Sequence, residues 1–167
     1  MSTTWELDGQ LLDVLSGLGA RFERVEAGAY VVHLHGSRRP STLVWLIAGE
    51  QAVAVEAFVL HLVDVADPAP LHRYLLARNL RLRDVHFGVD DVGDVFLSGS
   101  ISDLQHVDRV LGEVLQLLEE SSAAIAQLAY GDRLAGDPAL ASKVLTDGAG
   151  RRPAGTPERA PRRDVRR

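Results

Sequence analysis

With 167 residues, 46% of them apolar, and no cysteine, the chain suits one soluble domain with its own core, and it excludes disulfides, thiolate metal sites and cysteine nucleophiles together. Charge is unevenly spread: Gly148 to Arg167 hold seven arginines against Glu158 and Asp164, a balance of +5, and the formal total of −5 leaves −10 on residues 1–147. So acidic a body repels phosphates, and nucleic-acid binding is not expected beyond a weak role of the basic end.

Met1 to Gln10 contain no basic cluster followed by an apolar run, so no secretory signal is expected. Ala52 to Val65 is broken by Glu56, His61 and Asp64, so no membrane span is expected either, and a cytoplasmic protein is the default reading.

Thr3 to Leu18 patterns as an amphipathic helix. Thr3 and Glu6 have capping-box spacing, Leu7, Leu11, Val14, Leu15 and Leu18 recur at three- and four-residue steps, and Gly17 and Gly19 end it. Three strand-like segments follow: Phe22 to His35, interrupted at Ala27-Gly28-Ala29; Thr42 to Ala48; and Gln51 to Val63, joined to the second by a turn at Gly49-Glu50. Asp67-Pro68-Ala69-Pro70 starts a helix with Asp67 as its cap. Leu71, Tyr74, Leu75 and Arg78 continue it, Asn79 is expected as its left-handed end, and Leu80 is expected to pack back.

Val85, Phe87 and Val89 alternate with Asp84, His86 and Gly88, then Asp90-Asp91-Val92-Gly93 turns and Asp94 to Ser100 returns as a hairpin. Ser102 with Gln105 opens the longest helix, whose ladder runs Leu104, Val107, Leu111, Val114, Leu118, Ile125 and Leu128 and reaches Tyr130. A short helix is expected from Pro138 to Leu145. After Thr146 the composition falls to Gly, Pro, Ala and Arg. Residues 1–146 therefore read as a single domain and 147–167 as a disordered tail. Strands grouped between helices give an α+β fold, an antiparallel sheet with flanking helices.

The stretch Leu71-His72-Arg73-Tyr74-Leu75-Leu76-Ala77-Arg78-Asn79-Leu80, with Val85-His86-Phe87-Gly88-Val89-Asp90, Gly93-Asp94-Val95-Phe96-Leu97 and Leu111-Gly112-Glu113-Val114-Leu115, resembles the YbjN-domain family in its actinobacterial branch, over roughly Thr4 to Tyr130. The resemblance implies a fold similar to type III secretion chaperones, in the order α-β-β-β-α-β-β-α that periodicity also suggests. It further implies dimerisation, the binding of client-protein segments and a regulatory role in sensory transduction. It supplies no catalytic residues and no cofactor.

Constellations of chemistry are thin. His33 and His35 share a strand face, and Glu56 or His61 could complete a metal site, but a solvated sheet face explains the pair more simply. Asp90, Asp91 and Asp94 around Gly93 lack the ligand spacing of a calcium loop. Leu97-Ser98-Gly99-Ser100 lacks the context of a nucleophile elbow, and no phosphate-binding glycine motif is present.

More informative is the apolar excess of two strands. Leu43, Trp45 and Ile47 oppose Val44, Leu46 and Ala48, while Val53, Val55, Ala57 and Val59 oppose Ala54, Phe58, Leu60 and Leu62. A sheet with one solvated face would alternate apolar with polar. The second face is therefore covered either by the chain's own helices or by a partner. The expected function is a non-enzymatic, homodimeric protein-binding domain, with Leu43, Trp45, Ile47, Phe58, Leu60, Leu71, Tyr74, Leu75 and Phe87 as its partner or ligand surface. The alternative is a small-ligand sensor with an apolar pocket lined by Trp45, Phe58 and Phe87. The partner itself is not legible.

Overall fold

The computed structural model describes residues 4–39 and 41–146. Helix α1 (Thr4–Gly17) leads into strands β1 (Arg21–Glu26), β2 (Ala29–Leu34), β3 (Thr42–Ala48) and β4 (Val53–His61). Helix α2 (Ala69–Asn79), strands β5 (Val85–Val89) and β6 (Asp94–Ile101), a 3-10 turn (Leu104–His106) and the long helix α3 (Val107–Tyr130) follow, then α4 (Arg133–Gly136) and α5 (Pro138–Thr146). All six strands join one antiparallel sheet in the order β1-β2-β3-β4-β6-β5. The expected cap Thr3 and the expected disordered tail lie outside the described residues.

Local chemistry departs from the sequence reading at a few places. Phe22 to His35 is not one interrupted strand but a hairpin, because Gly28 takes a φ of 79° that lets the chain reverse. Asn79 is not a left-handed helix end; its amide donates to the Phe87 carbonyl at 2.9 Å and accepts from the Phe87 N–H at 2.7 Å. Leu80 consequently stays in the helical region and is 88% exposed instead of packing back. Asp103, not Ser102, caps the entry to the long helix by accepting from the Gln105 N–H, and the first turn is 3-10.

One face of the sheet carries the core. Leu7, Leu11 and Leu15 of α1, Leu71 and Leu75 of α2, the apolar ladder of α3 and Val144 of α5 share a single buried cluster with Tyr30, Val32, Val44, Leu46, Val55 and Leu97. Asp8 fastens α1 to the sheet. Buried among these groups, it accepts from the Tyr30 hydroxyl and, at 2.6 Å, from Arg24. Burial first, then the hydrogen bond to Asp8, push the Tyr30 phenol up to about 12.

Strand β4 carries an irregularity that decides which side chains reach which face. Phe58 lies opposite Phe96 and Leu60 opposite Val95, so Val59 is an extra residue in the ladder. Val59 and Leu60 both enter the core cluster as a result. The carbonyls loosened there are met by Arg39, which donates to Phe58 O at 3.0 Å, to Val59 O at 3.1 Å and to Ser122 Oγ at 3.3 Å. Glu119 on α3 holds the loop that delivers Arg39, accepting from the Arg38 N–H at 2.8 Å and from the Ser37 hydroxyl at 3.1 Å. A Cβ on Gly36 would push that carboxylate away, so glycine here lets it come close to the loop.

Arg39→Ala leaves two carbonyls without their donor, and unfolding in urea should show a loss of about 1–3 kcal/mol. Arg39→Lys should recover only part of it, because an ammonium lacks the planar fork that spans two adjacent carbonyls.

Candidate partner-binding face

The opposite sheet face stands apart from the core cluster. Ala29, Val31, Phe58 and Phe96 are buried there but lie outside the core cluster, to which every buried apolar side chain of the described helices belongs. The face is built by cross-strand register. One row runs Glu23, Val31, Trp45, Glu56, Ser98 and His86 from β1 to β5. Beside it, Leu43 pairs with His33 of β2, and Ile47 pairs with Ala29 and Ala54. Phe58 and Phe96 meet edge to face, with ring centroids 5.8 Å apart.

Polarity is graded across this surface. Its margins are the charged or titratable Arg21, Glu23 and His86, and its middle is apolar. Glu56 is the carboxylate at the middle, with Ser98 beside it. Burial raises its carboxyl above the ordinary carboxylate range, opposed by a hydrogen bond from the Ser98 hydroxyl at 3.2 Å. Trp45 contributes an indole N–H that is buried yet has no hydrogen-bond partner, a donor aimed at nothing the described chain provides. An apolar centre with a polar margin is the pattern of protein-contact surfaces.

Of the nine residues expected on a partner surface, Leu43, Trp45, Ile47 and Phe58 lie on this face. Leu60, Leu71, Leu75 and Phe87 are instead buried core residues, and Tyr74 packs against the same core. Leu60 was assigned to the outer face by strict alternation, which the extra residue Val59 breaks. Phe87 lies across the sheet from Trp45 and Phe58, so the three do not line one pocket. Val31 and Phe96 belong to the face and were missed. Phe96 was readable in principle, since it alternates with Val95 and Leu97 in a strand paired with β4.

The histidines and carboxylates do not converge. His61 pairs with Asp94 at the end of β4, Glu56 with Ser98, and His33 stands between Arg21 and Leu43. Among the described residues no three His, Asp or Glu side chains are grouped to hold a metal ion. Asp90 serves the hairpin turn, accepting from the N–H groups of Val92 and Asp94. No described helix is long and apolar enough to cross a membrane.

The family model for YbjN, described as "Putative bacterial sensory transduction regulator", matches residues 8–126. An uncharacterised protein of Mycobacterium tuberculosis is 38% identical over 106 residues, covering 61% of this chain and 57% of the relative, so the chain spans little more than half of that relative's length. Among solved structures, the ExsC–ExsE complex has a chain similar at a TM-score of 0.53 and 22% identity, with 75% of this chain and 97% of that one covered. YbjN from E. coli is similar at a TM-score of 0.54 and 15% identity, with 70% and 91% covered. At these identities the likeness is one of fold, and the fold is the type III secretion chaperone-like one that the resemblance implied.

The two faces should answer differently to truncation. Leu60→Ala opens a core cavity and should cost about 2–5 kcal/mol in urea unfolding. Leu43→Ala, on the half-buried outer face, should cost at least about 1 kcal/mol less by the same measurement.

Proposed function

Since the chain belongs to the YbjN family, we propose that it is a non-enzymatic regulatory domain that acts by binding other proteins, as a homodimer, in the manner of a chaperone. The reading rests above all on the outer sheet face, whose apolar middle of Val31, Leu43, Trp45, Ile47, Phe58 and Phe96 stands outside the core cluster to which every buried apolar side chain of the described helices belongs. A client segment lying there would cover the half-buried Leu43, Trp45 and Ile47. Support from the fold neighbours is limited to shape, although one of them is the ExsC–ExsE complex of two proteins.

Self-association would use a different surface. Leu76 and Leu80, four residues apart at the end of α2, are 68% and 88% exposed. Adjacent leucines this exposed on a helix are well placed to meet their own copy about a two-fold axis. The outer sheet face would then stay available to a client in both copies.

Light scattering of the full chain should give twice the 18.1 kDa chain mass, and the double variant Leu76→Glu, Leu80→Glu should return it to one. A wild-type chain that stays at one mass at tens of micromolar would remove the homodimer. For the client surface, a photo-crosslinking amino acid at position 45 should capture a second polypeptide in the host cell, whereas one at position 132 should not. Equal capture at both positions would speak against the face.

A further inference from the structure

A groove of about 1380 Å³ opens between α1, the β3–β4 turn and the start of α3. It exceeds the roughly 300–1,000 Å³ typical of small-molecule sites and has the dimensions of a cleft for chain. Its charge is one-sided. Asp13, Glu50, Asp103 and Asp108 line it, no basic residue does, and none of the four is in an ion pair among the described residues. The last turn of α1, which ends beside the groove, also lacks a basic residue, so the negative end of its dipole is uncompensated. Trp5, 66% exposed, and Leu18, 40% exposed, add apolar surface to the same groove.

We propose that this groove is the docking site of the chain's own arginine-rich segment, residues 151–167. The complementarity is specific in sign: the segment concentrates positive charge on a chain whose remainder carries −10. Guanidinium groups suit both features of the groove, since they pair with carboxylates and stack on an indole face. Apolar residues interleaved with the arginines, such as Val165 and Ala160, match Leu18 and Trp5. Reach is not limiting. Helix α5 ends at Thr146, so the distal arginines Arg159 to Arg167, 13 to 21 residues on, can lie up to about 43–70 Å away, against a radius of gyration of about 15 Å for a body of this size. Tethering favours the chain's own segment over a free basic peptide, because a short linker sets a local concentration of roughly millimolar. Occupancy would also keep the arginines from polyanions that would otherwise attract them.

The absence of cysteine makes the test direct. A nitroxide is attached at Ala160→Cys in the full chain, and relaxation of the backbone amides is read by NMR. At low salt the Gln10, Gln51 and Gln105 signals should be attenuated at least about twofold more than those of Val31 and Ile47, and the difference should collapse in 1 M salt, where the Debye length is about 3 Å. In the labelled triple variant Asp13→Asn, Glu50→Gln, Asp108→Asn the selective attenuation should vanish, while the spectrum itself reports that the fold is kept. Attenuation that is no greater in the groove than elsewhere, or that survives in the triple variant, would overturn the proposal. So would full attenuation in a mixture of labelled unenriched chain with unlabelled enriched chain, which would place the segment on a second copy.

Discussion

A single extra residue in β4 sets the division of labour between the two faces of this sheet. Val59 advances the chain by one position against β6, so Val59 and Leu60 both turn into the core while Phe58 stays outside against Phe96. A bulge of this kind survives only if its displaced backbone groups find partners. Arg39 provides them from a loop that Glu119 anchors to α3, so the longest helix, the β2–β3 loop and the central strand are coupled through one guanidinium. Burial lowers the pKa of that guanidinium, a sign of how little water shares its position.

The two faces then have different physical characters. The helix-covered face is a closed core tied at its margins by polar clasps: Asp8 with Tyr30 and Arg24, and the Tyr130 hydroxyl bridging His61 O and the Val63 N–H. The outer face is apolar without being a core, and its polar groups are incompletely matched. Trp45 has a donor to spare, and the Glu56 carboxyl sits where burial disfavours its charge. Folding alone gives no reason to gather Leu43, Trp45 and Ile47 on that side, since a solvated sheet face is ordinarily polar.

Much of this was legible in the amino-acid order. The amphipathic ladders of α1 and α3, the proline-opened α2 and the hairpin that turns at Asp90 to Gly93 between β5 and β6 all follow from short-range patterns. What escaped depends on contacts distant in sequence. The Val59 bulge falls within Ala57-Phe58-Val59-Leu60, a run so uniformly apolar that a shift of one residue leaves no trace in its pattern. Asn79 carries the composition of a helix terminator, and only the position of β5 shows that its amide pairs with Phe87. For the same reason the outer face was half read: Leu43, Trp45, Ile47 and Phe58 precede the bulge and keep their alternation, whereas Leu60 follows it.

The Asn79 amide has one more effect, on how copies of this sheet can add to one another. By occupying both the donor and the acceptor of Phe87, it plugs the middle of the outer edge of β5, against which α2 also lies. A strand approaching from that side would have to expel the amide before it could form a ladder. Edge-wise addition at β5 is thereby blocked, which closes one route by which sheets of this kind stack into fibres.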